Sequence, residues 1–195
     1  MKNKISITGD LGSGKSAVGK ILKEKLAIPV VSTGAIQREI AERMEMTTLE
    51  LNHYTDTHPE IDEEIDSVFK KLGFDPNPYL LDSRLAWFFI PDSFKVYLKV
   101  DTKIAAERIM KDTKRKSEKY RDLSEAIADI KARKDSENQR FLREYGADCA
   151  NYENFNAVIN TTFATPENVA DCIITLFKKH QNGETFPLYW MSDDF

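Results

Sequence analysis

The residues best suited to chemistry lie near the start of the chain. Gly9-Asp10-Leu11-Gly12-Ser13-Gly14-Lys15-Ser16 matches the pattern G-x-x-x-x-G-K-[ST] at every fixed position, with Ala17 continuing it. A β-rich run, Lys4 to Thr8, precedes it, and residues with helical spacing follow, which is the context this pattern needs. Glycines let the backbone curl so that several N–H groups aim at one anion. The start of the following helix adds the positive end of its dipole. Lys15 is expected to reach the outer phosphates of a nucleotide, and Ser16 to place its hydroxyl on Mg²⁺.

Three further clusters fall near the same end of the strands, where open α/β sheets bind ligands. Ser32-Thr33-Gly34 opens a helix, with Arg38 one turn in. Asp82-Ser83-Arg84 ends a strand; an acid there can hold Mg²⁺ through water, and Arg84 can reach an acceptor phosphate. Arg133, Glu137 and Arg140, at i, i+4 and i+7, share one helix face beside the apolar stripe of Ile127, Ile130, Phe141 and Tyr145. Half-buried arginines need anionic partners. Taken singly, each arginine also fits an ordinary ion pair on a helix surface, worth about 0.2–0.5 kcal/mol. The DxxG and N-K-x-D patterns of GTP-hydrolysing switches are missing, since the third strand continues as Asp82-Ser83-Arg84-Leu85.

The elements that must position these residues follow from periodicity. Strands are expected at Lys4–Thr8, Val30–Ser32, Tyr79–Leu81, Phe94–Val100 and Ala157–Ile159. Helices are expected at Ser16–Leu26, Ala35–Met44, Thr102–Lys111, Ser124–Tyr145 and Pro166–His180. Such alternation predicts an α/β, three-layer fold: a five-stranded parallel sheet covered by helices on both faces. Two stretches interrupt it. Residues 47–73 are acidic and helical in character, with a break at Pro59, and residues 111–123 are strongly charged. Both read as insertions able to close over a ligand. One domain spans residues 1–185, and an aromatic tail, 186–195, stands apart from it.

With these residues in view, the chain resembles the cytidylate kinases, most closely their compact archaeal branch. The resemblance is carried by Ile5 to Arg38, His58-Pro59-Glu60-Ile61-Asp62, Leu81 to Ala86, Arg133 to Arg140 and Phe155 to Thr161. It implies the P-loop NTPase fold, with residues 47–73 as the subdomain that binds the monophosphate and 111–123 as the lid. It implies ATP and Mg²⁺ as cofactors and CMP or dCMP as the acceptor. Gly9 to Ala17 would hold the ATP phosphates, joined by Arg108 and Arg115. Ser32, Gly34, Arg38, Asp62 and Arg84 would bind the monophosphate, with Asp62 reading the cytosine amino group. Arg133 and Arg140 would close on the transferring phosphate or the bound CMP, oriented by Glu137. Lys15, Arg84, Arg133 and Arg140 would be catalytic, and Ser16 and Asp82 would serve the metal.

Composition narrows the field. Net charge is −4 with a pI near 5.5, which argues against broad nucleic-acid binding. No apolar run is long enough for a membrane span or a secretion signal, so a cytoplasmic protein is expected. Cys149 and Cys172 lack metal or CxxC spacing and read as reduced packing residues. His53, His58 and His180 are too scattered for a zinc site or a triad. Other acceptors (AMP, UMP or a hydroxy acid such as shikimate) stay open, as does a nucleotide-binding interaction protein without turnover, suggested by Phe186, Tyr189, Trp190 and Phe195. Monomer and homodimer are equally compatible.

Overall fold

Successive side chains on a strand point to opposite faces of a sheet, and that alternation sorts the core. In a computed structural model, which describes residues 3–55, 57–112 and 120–191, the strands form one sheet. They are β1 (Lys4–Gly9), β2 (Val30–Ser32), β3 (Tyr79–Asp82), β4 (Phe94–Lys99), β5 (Ala157–Asn160) and β6 (Tyr189–Trp190). Their order is β2-β3-β1-β4-β5-β6, and every pairing is parallel.

Parallel neighbours need crossover connections, and helices supply them on both faces. Ile5, Ile7, Leu80, Phe94, Val96, Leu98 and Ile159 turn toward one face. There they meet α1 (Lys15–Leu26) and α8 (Pro166–Gln181) through Val18, Leu22, Ile173 and Leu176. The residues between them, Tyr97 and Val158, turn to the other face and meet Phe141 of α7 (Leu123–Tyr145) and Trp87 of the short α5 (Ala86–Phe89). Over the β2–β3 edge, Leu81 packs with α2 (Thr33–Arg43), α3 (Thr48–Thr55) and α4 (Pro59–Phe74), the helices at and beside the expected insertion. A separate apolar cluster joins α6 (Thr102–Lys111) to α7 through Ala105, Ile109, Ala126 and Ile130. Among the described residues, no helix is long and apolar enough to cross a membrane.

Register places the chemistry. Ile7 lies opposite Asp82 on one side and Val96 on the other, and Ser32 lies opposite Asp82. The glycine-rich loop, Ser32, Asp82 and Arg84 therefore share one end of the sheet. Of the expected lid, residues 113–119 lie outside the described residues, and Arg115 with them.

The sheet has six strands where periodicity predicts five. The sixth comes from the tail, whose two-residue strand is too short to show a period. Leu188 carbonyl accepts from Val158 N–H at 2.8 Å, and Trp190 Nε1 donates to Pro187 carbonyl at 2.7 Å. Phe186 and Trp190 pack on the α1/α8 side of the core, with Phe186 6.2 Å from Phe94 between ring centroids. Trp190→Ala should thus cost about 2 kcal/mol, less than a fully buried Trp. In thermal unfolding, that loss would lower Tm by about 6 °C for a chain of this size.

Candidate active site

Helix α1 begins without a side-chain cap. Helices α2, α6, α7 and α8 begin instead with Ser32, Asp101, Asp122 and Thr165, each accepting from an N–H of its own first turn. At α1 the cap position is Gly14, at φ 82°, a conformation costly for any residue with a Cβ. Ala17 N–H donates to the Gly14 carbonyl at 3.0 Å, and the N–H groups of Lys15 and Ser16 meet no side-chain cap, so they can serve an outside acceptor. Gly12 allows a close approach: a Cβ there would lie 2.9 Å from the Ala105 Cα. Ser13 is 2% exposed, and its hydroxyl has no hydrogen-bond partner among the described residues. An uncapped helix, a loop pressed against α6 and an unpaired buried hydroxyl all suit a bound phosphate.

A cavity of about 540 Å³ opens over this loop, lined in part by Gly12, Gly14, Lys15, Ser16, Arg84 and Arg108. Lys15 Nζ lies 3.1 Å from Asp82 Oδ1, so the loop lysine is held at the end of β3. Arg108, on the last turn of α6, donates to the carbonyls of Gly12 (3.2 Å), Thr161 (2.8 Å) and Thr162 (3.0 Å). Arg84 donates to the Gly9 carbonyl, and its Nε lies 3.2 Å from Glu137. Trp87 Nε1 donates to the Arg84 carbonyl at 2.9 Å, fixing the turn that carries this arginine.

On α7, the structure pairs Glu137 with Arg84. Arg133 reaches Asp129 at 3.8 Å, and Arg140 reaches Asp62 of α4 at 3.7 Å. Arg38 is exposed on α2 and makes no ion pair or hydrogen bond among the described residues. Ser32 spends its hydroxyl on Ala35 N–H at 3.1 Å, and Gly34 keeps the space beside the Arg38 guanidinium open. Asp82, Arg84, Lys15, Ser16 and Arg108 thus converge, while Arg140 and Asp62 bridge α7 to α4 and Arg133 lies on Asp129 of its own helix.

Asp10 departs from the rest of the loop. Its carboxylate accepts from Tyr97 hydroxyl (2.7 Å), Val100 N–H (3.1 Å) and Lys134 (2.7 Å). It anchors the loop to β4 and α7. Sequence reasoning missed both Lys134 and Tyr97; the only signal was that Lys134 sits three residues before Glu137 on one helix face.

Burial raises the Asp62 carboxyl above its usual range, with Arg140 opposing and Glu144 adding to the rise. Asp66, 8% exposed, is raised for the same reason, although its hydrogen bond from the Tyr145 hydroxyl opposes this. Burial likewise pushes the Cys149 and Cys172 thiols up to about 11, so neither is a ready nucleophile. Among the described residues, no group of three or more His, Cys, Asp or Glu side chains could hold a metal ion by itself.

The profile of the cytidylate kinase-like family matches residues 4–163. A cytidylate kinase of Sulfolobus acidocaldarius is 38% identical over 178 residues, covering 90% of this chain and 94% of that protein. An S-adenosylmethionine-dependent nucleotide dehydratase of Lacinutrix mariniflava is 35% identical over 191 residues. That match takes in 96% of this chain but only 38% of the longer relative. A solved shikimate kinase from Bacteroides thetaiotaomicron shares the fold, with a TM-score of 0.62 at 16% identity over 90% of this chain and 98% of that one. This chain belongs to the cytidylate kinase-like family.

The raised Asp66 carboxyl sets a pH test. Above its ordinary pKa of about 4, the unfolded chain releases this proton more readily than the folded one. Stability from this residue is therefore complete below that pH and declines as pH rises through the folded pKa. Asp66→Asn should match the parent near pH 3.5 and exceed it in Tm by a margin that widens toward about pH 7, read by thermal unfolding across pH.

Proposed function

We propose that this cytidylate kinase-like protein transfers the γ-phosphoryl group of ATP to CMP or dCMP, giving the diphosphate and ADP. The observation that carries the reading is the uncapped start of α1, with Lys15, Arg84 and Arg108 gathered around one cavity. Family membership and the archaeal cytidylate kinases among its relatives favour the cytosine nucleotides over other acceptors.

Phosphoryl transfer asks for alignment and charge neutralisation more than covalent help. The loop from Gly9 to Ala17 would hold the triphosphate by backbone N–H groups. Lys15 would exchange Asp82 for the outer phosphates. Arg84 and Arg38, on opposite sides of the β2–β3 edge, would clamp the acceptor phosphate. Arg133 and Arg140 would approach from α7, and Asp62 would meet the cytosine amino group once Arg140 turns to phosphate. The Ser16 hydroxyl and Asp82 carboxylate are oxygen donors suited to Mg²⁺. When bound, that ion neutralises charge on the triphosphate. The acceptor phosphate is already ionised at neutral pH, so no general base is needed. Closure of residues 47–73 and 111–123 would exclude water and protect ATP from hydrolysis. The reaction suits a cytoplasmic protein acting on small molecules.

ADP release from Mg·ATP, measured across CMP, dCMP, UMP, AMP, GMP and shikimate, tests the reading. Release with CMP or dCMP is expected. Release with shikimate alone would overturn a phosphate acceptor, and no release with any would remove the kinase reading. Lys15→Ala should lower kcat by a factor of about 10² or more, because it removes a preorganised charge aimed at the transition state. A folded variant turning over at the parent rate would refute that role.

A further inference from the structure

Lys134 has no part in the reaction just described, yet it touches the loop on which that reaction depends. Its ammonium lies 2.7 Å from Asp10 Oδ1, and the Asp10 side chain is only 9% exposed. The same oxygen accepts the Tyr97 hydroxyl, and the second accepts Val100 N–H. Asp10 N–H in turn donates to the Leu98 carbonyl at 2.9 Å. Residue 10 is thus tied at four points outside its own loop, and Lys134 is the one cation among them. A carboxylate so far out of water is costly unless a cation balances it. The ammonium loses water too, but attraction to Asp10 outweighs that loss and holds its pKa above the usual lysine value.

Three residues further along the same helix face, Glu137 holds Arg84, which donates to the Gly9 carbonyl. Two successive side chains of α7 therefore act on adjacent loop residues, 9 and 10. Lys134 does not line the 540 Å³ cavity; it borders a neighbouring one of about 230 Å³ together with Asp10 and Leu11, and its contact with the loop is Asp10.

We propose that Lys134 is a positioning residue: by gripping Asp10 it fixes the course of the phosphate-binding loop relative to α7. The inference rests on the kinase reading for its effect on turnover, but its effect on phosphate binding needs only the loop. Helix α7 also carries Arg133 and Arg140, so the brace keeps the donor phosphates and these arginines in one frame.

The test compares Lys134→Met, Lys134→Arg, Asp10→Asn and the Asp10→Asn/Lys134→Met double variant. Affinity for Mg·ADP is read by calorimetry, turnover with CMP by ADP release, and Tm by thermal unfolding. Lys134→Met should weaken ADP binding and lower kcat by about tenfold each, the scale of one charged hydrogen bond. Lys134→Arg should recover most of both. The double variant should lose no more than about what the worse single variant loses, since both changes break one contact. Parent ADP affinity and kcat in Lys134→Met, with only Tm reduced, would overturn the proposal, as would single effects that multiply in the double variant. Should Lys134→Met fail to fold, Asp10→Asn against Lys134→Arg decides: parent-like ADP affinity and kcat in Asp10→Asn overturn the proposal. A parent protein that binds ADP yet phosphorylates no acceptor would sink the acceptor reading alone, and the calorimetric arm would still decide the role of Lys134.

Discussion

The start of α1 presents N–H groups that no side chain caps among the described residues, and much of the surrounding structure answers to that demand. Four other helices place Ser, Thr or Asp at the same position and close their first turns internally. Gly14 leaves the turn of α1 open. Apart from Asp10, the loop has few side chains that could fix its shape, so neighbours must supply it. Tyr97 and Val100 of the β4 end hold Asp10, Ala105 of α6 limits Gly12, and Arg108 ties the Gly12 carbonyl to the end of β5.

Around this opening the cations are stored against carboxylates. Lys15 lies on Asp82, Arg84 on Glu137, Arg140 on Asp62 and Lys134 on Asp10. All but the last are about a quarter exposed or more on both partners, so each holds its cation loosely enough to release it to a stronger anion. Asp10 is the least exposed carboxylate of the four, and its lysine is the one kept for shape rather than for exchange. Arg38 stands outside the scheme, exposed on α2 without a carboxylate of its own among the described residues.

The sequence made the fold legible wherever an element was long enough to show a period. Five of the six strands and the long helices were readable, with boundaries within two residues, because Val, Ile and Leu sort cleanly by face. Three pieces were not: α5, the short turn at Tyr152–Asn154 and β6, all two to four residues long. In the site, the phosphate loop was legible because its physics demands glycine and lysine at set spacing. Glu137 was legible as a charged helix residue, but not as the partner of Arg84, since that contact depends on how α7 lies across the β3 end. The role of Asp10 was hidden for a like reason. Nothing in an acid between Gly9 and Leu11 says that Tyr97, 87 positions away, points at it.

The tail strand has a consequence beyond packing. Without it, β5 would be the margin of the sheet, an apolar four-residue strand, Ala157–Asn160, with one row of N–H and C=O groups free to pair with another molecule. Residues 186–190 cover that row and replace it with a strand of two residues, followed at once by Met191 at φ 66°. A margin so short, ending in a bend, is a poor template for strand addition. Residues 186–190 therefore exchange the long open margin of β5 for a short one, at the side of the sheet away from β2.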